Sequence, residues 1–148
     1  MTANQRPYLA AYGLIRVGDT ILVQRRANTG YLDGYWAVPS GHVQEGEDAV
    51  SAVSRELHEE TGLVVAPQDW SFVCAMHRRT DRTIIDLFFA ATRFSRSPRI
   101  CERDKCDGLA FVPVAALPAP FAGYVRTAID CLVASGAQHA RYHGEGWS

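Results

Sequence analysis

Residues 41–63 read GHVQEGEDAVSAVSRELHEETGL, a segment that combines helix-forming residues with an unusual concentration of acid. Glu59 and Glu60 follow Glu56 by three and four residues, so on a helix they would be its neighbours. Like charges at these spacings destabilise a helix by roughly 0.2–0.5 kcal/mol per pair. The segment therefore predicts a helix whose internal repulsion is offset by something outside it.

A helix over residues 48–61 has one face that suits burial. At 100° per residue, Val53 and Leu57 define its core-facing stripe. Glu60 falls within about 20° of Val53, and Glu56 within about 60°. An unpaired ionised carboxylate near the core costs several kcal/mol. We therefore expect Glu56 and Glu60 to point into a cleft beside a sheet.

A divalent cation is the simplest compensation for this charge. Arg55 is the only arginine or lysine in the segment, and its partner one helical turn later is Glu59. Carboxylate oxygens favour Mg²⁺ or Mn²⁺ over Zn²⁺. Gly41 and Gly46 bracket the loop before the helix, where glycine lets the backbone approach a ligand closely and offer carbonyl oxygens.

The whole chain has the composition of one globular domain over residues 1–148. It is 47% hydrophobic and 21% charged with a formal net charge of −1, which disfavours nucleic acid or a membrane as partner. The N-terminus lacks the pattern of a secretory signal, and four scattered cysteines favour a reducing, cytoplasmic setting. Cys101 and Cys106 could pair or bind metal, but their spacing is no zinc signature, and we interpret them as ordinary small residues.

Alternating and periodic hydrophobicity predicts several strands and two helices. The strands are predicted at residues 8–15, 20–26, 70–78, 82–94 and 109–114, with a short one in WAVPSG (36–41). The second helix is predicted over residues 120–136, with Gly136 as its C-terminal cap and an apolar stripe of Phe121, Val125, Ile129, Leu132 and Val133. The polar tail from about residue 137 is predicted to be loose. Strands with two helices of this kind indicate an α/β/α sandwich.

The acidic segment resembles an unbroken Nudix box. Nine positions over 23 residues match it: Gly41, Glu47, Arg55, Glu56, Leu57, Glu59, Glu60, Gly62 and Leu63. Looser similarity extends to residues 21–42 and 102–118, so that about three quarters of the chain resembles the nucleotide pyrophosphatase branch of the family. The resemblance implies an α/β/α sandwich with a mixed sheet, and a hydrolase of nucleoside diphosphates linked to another moiety.

The resemblance also implies roles for single residues. Glu56, Glu59 and Glu60 would bind Mg²⁺, with Mn²⁺ as the alternative, and the Gly41 carbonyl would complete the site. Glu47 and Arg55 would orient those carboxylates. The base that activates water would be a box glutamate, with Glu59 the first choice, or an acid on a later loop, for which Glu102 is the best candidate and Asp104 the next.

Candidate substrate contacts lie outside these carboxylates. Arg25, Arg26 and His42 would stand near phosphate, although exposed arginines and a bystander histidine are the ordinary alternatives. Asp86 would hydrogen-bond a base edge, or else pair with Arg79 or Arg82 across a hairpin.

Several aromatic residues are candidates for stacking on a base. They are Tyr31, Tyr35, Trp36, Phe88 and Phe111, although aromatic residues in strands more often belong to the core. Phe111 stands where nucleotide-sanitising relatives tend to carry a stacking tryptophan, so a smaller ring there predicts weak discrimination between bases.

Two functional hypotheses follow. The first is a Mg²⁺-dependent pyrophosphohydrolase that cleaves nucleoside triphosphates, including oxidised ones, to monophosphate and pyrophosphate. ADP-ribose, another nucleoside diphosphate derivative or a pterin triphosphate is the alternative substrate. The second hypothesis is a nucleotide-sensing module that binds without cleaving, but such family members usually lose box carboxylates and this chain keeps them. A homodimer is left open because dimers occur in the family.

Overall fold

The computed structural model describes residues 3–135 and 141–147, which are organised around a mixed sheet. The elements in chain order are β1 (Tyr8–Val17), β2 (Thr20–Arg26), β3 (Trp36–Ala37), β4 (Ser40–His42), α1 (Ala49–Thr61), β5 (Ser71–Arg79), β6 (Thr83–Ala91), β7 (Cys106–Pro113), α2 (Gly123–Ser135) and β8 (Arg141–Glu145). A single 3₁₀ turn, Pro67–Asp69, connects α1 to β5.

The strand order is β3-β2-β1-β6-β5-β8, with β4 added to β1 and β7 to β2. β1 runs parallel to β6, from Tyr8 opposite Ile84 to Ile15 opposite Ala91. β5 and β6 form an antiparallel hairpin, and β8 runs parallel to β5. The sheet is therefore mixed, as the resemblance implies.

The sheet is buried on both faces because each helix covers one of them. Along β1, Tyr12 and Leu14 belong to the cluster that contains α2, whereas Ala11 and Ile15 belong to the cluster that contains α1. Successive residues of a strand point to opposite faces, so this alternation shows that the helices lie on opposite sides. The predicted α/β/α sandwich is confirmed.

Helix α1 agrees closely with the predicted segment. Asp48 is its N-cap and accepts a hydrogen bond from the Ser51 amide at 2.7 Å. Gly62 ends it with a φ of 78°, a left-handed conformation that glycine adopts without strain. Ala52, Val53 and Leu57 are buried against the sheet, so the predicted core-facing stripe is confirmed.

Other boundaries differ from the sequence prediction. The segment WAVPSG forms two short strands, β3 and β4, rather than one, and the last predicted strand begins earlier, at Cys106. Helix α2 begins at Gly123, and Val133 is 49% exposed, so Val133 does not belong to the apolar stripe. The predicted cap at Gly136 lies outside the described residues.

The predicted loose tail is wrong for residues 141–145, which form β8. This strand pairs in parallel with β5, from Arg141 opposite Cys74 to Glu145 opposite Arg78. Trp147 then donates its indole N–H to the His77 carbonyl at 2.7 Å. Main-chain pairing does not require apolar residues, so the polar composition of the tail concealed the strand.

No helix in residues 3–135 or 141–147 is long and apolar enough to cross a membrane.

The cap of α1 can be tested directly. We expect Asp48→Ala to lower the free energy of unfolding by about 0.5–2 kcal/mol, because the Ser51 amide at the helix start loses its acceptor. Urea denaturation monitored by circular dichroism measures the change. Asp48→Asn is the matched control, since asparagine also caps well and should cost much less; equal losses in both variants would contradict the assignment.

Candidate functional site

A cleft of about 940 Å³ opens beside the sheet, between β1, β4 and α1 and the loops that precede β3 and β7. Besides Asp81 in the turn between β5 and β6, four glutamates line it: Glu56, Glu59, Glu60 and Glu102. Three come from α1 and the fourth from the loop before β7. The predicted position of Glu56 and Glu60 in a cleft is therefore confirmed.

Glu60 is the most deeply placed of the four. One of its oxygens, Oε2, accepts hydrogen bonds from the Gln24 amide at 3.2 Å and from the Ser40 backbone N–H at 3.1 Å. Burial, followed by the neighbouring charge of Glu56, raises the pKa of Glu60 to about 8. A carboxyl group in this position is held neutral at moderate pH unless a cation compensates its charge.

Glu56 and Glu59 are progressively more open to solvent, with side chains 17% and 50% exposed. Burial also raises the pKa of Glu56 above its ordinary value. The backbone at Gly41 packs directly against the Glu56 carboxylate, and a Cβ at position 41 would overlap that side chain. Glycine at this point of β4 leaves the space that the Glu56 carboxylate occupies, and a larger residue would displace it.

The guanidinium of Arg55 holds the acidic face together. It makes a bidentate pair with Glu47, at 2.7 and 3.1 Å, and donates to Glu56 at 2.8 Å and to Glu59 at 3.3 Å. Its remaining N–H donates to the His42 carbonyl at 3.2 Å. These contacts, first among them the bond to Glu47, hold the pKa of Arg55 well above its ordinary value.

Glu47 does not line the cleft itself. It accepts from Arg55 and, at 2.8 Å, from the Gln44 backbone N–H. The structure places it where it orients Arg55, and through Arg55 the two glutamates beyond.

Glu102 reaches the cleft from a tight turn. Its carbonyl accepts hydrogen bonds from the backbone N–H groups of Lys105 and Cys106, both at 3.0 Å, and its side chain is half-buried on the cleft wall. Asp104 in the same turn is exposed and lies away from the cleft. Asp104, the second candidate for the loop base, is therefore not placed to accept a proton in the cleft.

The predicted substrate contacts divide into two groups. Arg26 and His42 line the cleft. Arg25 lies away from it, paired with Asp107 at 2.7 Å, and Phe111 packs in the α1 cluster with its ring centroid 6.3 Å from that of Phe94. Phe111 consequently does not line the cleft and is not placed to stack on a ligand there.

Asp86 is fully buried and paired, but with a different partner from those expected. Arg78, rather than Arg79 or Arg82, donates to it from Nε at 2.7 Å and from Nη2 at 3.2 Å. In the β5–β6 hairpin, Asp86 is directly opposite Met76. Arg78 lies two residues after Met76, so it is on the same face of the sheet and diagonal to Asp86. Asp86 therefore anchors an arginine instead of reaching a ligand.

The sequence analysis named Tyr31 as a stacking candidate but missed Arg78, Tyr12 and Tyr124 on the same cleft wall. The guanidinium of Arg78 lies over the Tyr124 ring, 4.0 Å from its centroid, and donates to the hydroxyls of Tyr31 at 3.1 Å and Tyr12 at 3.4 Å. All four residues line the cleft. The sequence contained one signal for this wall, an arginine in β5. Recognising that this arginine faces inward would have required knowledge of the hairpin register.

The donor set of the cleft suits a hard divalent cation. Arg55 alone does not neutralise the negative charge of the glutamates, and the half-buried Glu60 makes no ion pair within the described part of the chain. Close by, the buried Gln24 Oε1 has no hydrogen-bond partner among the described residues. Oxygen atoms of this kind match the preference of Mg²⁺ and of the waters that it retains.

Comparison with known proteins finds partial sequence matches. The chain is 46% identical over 54 residues to putative 8-oxo-dGTP diphosphatase 2 of Mycobacterium tuberculosis, covering 36% of this chain and 38% of that protein. It is 37% identical over 86 residues to an RNA pyrophosphohydrolase of Rhizobium meliloti, covering 47% and 49%. It is 41% identical over 58 residues to an ADP-ribose pyrophosphatase of Methanocaldococcus jannaschii, covering 39% and 34%. The chain thus spans less than half the length of each of these relatives.

The fold has close structural counterparts and a matching family model. The crystal structure of a MutT NUDIX hydrolase from Burkholderia pseudomallei superposes with a TM-score of 0.81 at 24% identity, over 86% of this chain and 99% of that one. The solution structure of the E. coli ORF135 protein superposes with a TM-score of 0.71 at 20% identity, over 88% and 94%. The family model of the NUDIX domain matches residues 6–130. This chain therefore belongs to the NUDIX family.

Proposed function

We propose that the protein is a divalent-cation-dependent hydrolase of phosphoanhydride bonds, which cleaves nucleoside triphosphates, including oxidised ones, to monophosphate and pyrophosphate. The observation that carries the proposal is the convergence of four glutamates on a cleft that is also lined by basic side chains, among them Arg26, Arg82 and Lys105. A polyphosphate needs both features, because anionic ligands hold it only through a cation while basic side chains contact its free oxygens. The names of the relatives refer to 8-oxo-dGTP, RNA and ADP-ribose, which supports the class rather than one substrate.

Glu56, Glu59 and Glu60, with the carbonyl of Gly41, would hold the cation. Mg²⁺ is the first choice and Mn²⁺ the alternative, since both prefer oxygen ligands. Such an ion, when bound, polarises phosphoryl oxygens and lowers the pKa of a coordinated water. Gly41 supports the assignment because a larger residue at this position would displace the Glu56 carboxylate that its backbone approaches.

The chain's own groups supply orientation and proton transfer. Arg55 holds Glu56 and Glu59 in fixed positions, and Glu47 in turn fixes Arg55. Glu102 lines the cleft from a separate loop, where it is available to accept a proton from the attacking water. Glu59, which is half exposed, is the alternative base.

The cleft wall around Arg78 favours a broad choice of base. Tyr31 is 41% exposed and offers a ring on which any base can stack. Arg78 is already engaged by Asp86, Tyr12 and Tyr31, so few of its donors remain to read a base edge. We therefore propose that the enzyme discriminates only modestly between nucleotide bases and that it prefers an oxidised guanine nucleotide by a small factor.

The function is tested by assaying a panel of nucleoside triphosphates, 8-oxo-dGTP, ADP-ribose and dinucleoside polyphosphates with Mg²⁺ and measuring released phosphate or pyrophosphate. We expect several triphosphates to be cleaved with similar kcat/KM. Glu60→Gln keeps the shape but removes a charged ligand, so the rate and the Mg²⁺ affinity should both fall by about a hundredfold or more while the fold survives.

Glu45→Gln is the matched control for that variant, because Glu45 is an exposed residue of the loop before α1. Its rates should equal those of the wild type. Absence of hydrolysis across the whole panel, with nucleotide binding intact, would instead support a sensing module. A preference of about a thousandfold for one compound corresponds to roughly 4 kcal/mol and would contradict the proposed breadth.

The base is tested by comparing Glu102→Gln with Glu59→Gln. We expect Glu102→Gln to lower kcat by about 100-fold or more and to alter the pH profile of kcat, because a proton acceptor is removed, while Mg²⁺ affinity changes little. Glu59→Gln should weaken Mg²⁺ binding as well. Wild-type turnover by Glu102→Gln across the pH range would place the base on α1.

The raised pKa of Glu60 predicts how stability depends on pH in the metal-free protein. In the unfolded chain Glu60 ionises near its ordinary value of 4.5, whereas in the folded protein it stays protonated up to about pH 8. The unfolded state thus binds fewer protons between these values, and the free energy of unfolding should fall on the order of a few kcal/mol as pH rises through the window.

Urea unfolding in EDTA at several pH values measures this dependence. Glu60→Gln should remove most of the decline, because glutamine does not ionise, and saturating Mg²⁺ should oppose it in the wild type. An identical pH dependence in the wild type and in Glu60→Gln would show that Glu60 is not the titrating group.

A further inference from the structure

A second group of metal-ligating side chains lies away from the carboxylate cleft. It consists of Cys74 on β5, Cys131 on α2 and His143 on β8, and their sulfur and imidazole nitrogen atoms all lie within 4.8 Å of one another. Cys131 Sγ is 3.0 Å from His143 Nε2. Both cysteines are buried and the histidine is half-buried. We name these three residues the thiol–imidazole cluster.

We propose that the thiol–imidazole cluster binds one Zn²⁺ or a similarly thiophilic cation. Zn–S and Zn–N bonds of about 2.3 and 2.0 Å place the ligand atoms of one tetrahedral ion roughly 3.5–3.8 Å apart. Cys131 Sγ and His143 Nε2 are 3.0 Å apart, and no two ligand atoms of the cluster are more than 4.8 Å apart, so all three lie close to the spacing that one ion requires. Small side-chain adjustments would therefore bring the three atoms onto one ion without moving the backbone.

The ligand chemistry selects a different cation from the one proposed for the cleft. Two thiolates and an imidazole are soft or borderline donors, which favour Zn²⁺ and disfavour Mg²⁺. Met76 is buried two residues after Cys74, and its Cα pairs with that of His143 across β5 and β8, so a thioether shares the same face. The surroundings of the cluster thus add a thioether to its two thiols, while the nearest buried carboxylate, Asp86, is already paired with Arg78.

Proton release accounts for how neutral thiols would become ligands. Burial, followed by the adjacent Cys131 thiol, raises the pKa of Cys74 to about 12. Both S–H bonds break as two Zn–S bonds form, and the two protons pass to water, while the neutral imidazole contributes a lone pair. The charge of the cation then offsets two thiolates that the core could not otherwise hold.

The three ligands come from elements that are distant in sequence, so a shared ion would act as a crosslink. It would join α2 and β8 to β5. Among the described strands β8 pairs with β5 alone, so the ion would give it a second attachment, to α2. Zn²⁺ should therefore stabilise the fold, and above all the pairing of β8 with β5.

Cobalt substitution tests the proposal on the full-length, reduced, metal-free protein. Co²⁺ bound by cysteine gives intense sulfur-to-metal charge-transfer absorption, which carboxylate ligation does not. We expect one Co²⁺ per chain with this absorption, displaced by Zn²⁺, and an increase of several degrees in the melting temperature with Zn²⁺. Cys74→Ser and Cys131→Ser should lose the absorption and weaken Co²⁺ binding at least about tenfold.

Three further variants make the result specific. Cys101→Ser changes an exposed cysteine and should leave the spectrum unchanged, as should Glu60→Gln, which alters only the cleft. His143→Ala, at a half-buried site on a short strand, should reduce affinity and shift the absorption even if the core cysteine variants fold poorly. Absence of charge-transfer absorption in the folded wild type, or its persistence in Cys74→Ser, would overturn the proposal.

Discussion

The guanidinium of Arg55 distributes its five N–H groups among Glu47, Glu56, Glu59 and the carbonyl of His42, and the acidic face of α1 depends on this arrangement. Without a shared cation, carboxylates one helical turn apart repel each other and turn outward to water. With the guanidinium of Arg55 between them, the carboxylates converge on one cleft. The bidentate contact with Glu47 also restricts how the guanidinium can rotate, so each glutamate receives a fixed donor.

The guanidinium of Arg55 also joins α1 to the strand that precedes it in the chain. The bond from Arg55 to the His42 carbonyl reaches the end of β4, and Gly41 beside it leaves the space that the Glu56 side chain fills. Ser40 completes the connection, since its N–H donates to the half-buried Glu60. Loop, short strand and helix are therefore one electrostatic unit, and a change at any of them would displace the carboxylates.

The sequence could reveal this unit because its information is local. Helical spacing, a capping aspartate and flanking glycines all lie within one short segment, so the positions of Glu56 and Glu60 followed from a helical wheel. The opposite wall of the cleft could not be predicted in this way. Whether Asp86 or Phe111 faces a ligand depends on strand register and on which helix covers which face, and both are set by contacts between distant segments. Asp86 was recognised as needing a partner, but Arg78 became that partner only through the hairpin register. Strand β8 was missed because main-chain hydrogen bonds, rather than side-chain pattern, hold it in place.

Strand β8 has a consequence for how the protein behaves in concentrated solution. Nine residues of β5, several of them apolar, would otherwise present a row of open amide and carbonyl groups along one margin of the sheet. Such a margin is a template on which a second molecule can add a strand, the first step of edge-to-edge aggregation. The residues Arg141–Glu145 pair with this margin, so the exposed edge becomes that of a five-residue strand without large aliphatic side chains. Strand β8 therefore covers the part of the β5 edge through which two copies of the chain would otherwise be able to pair.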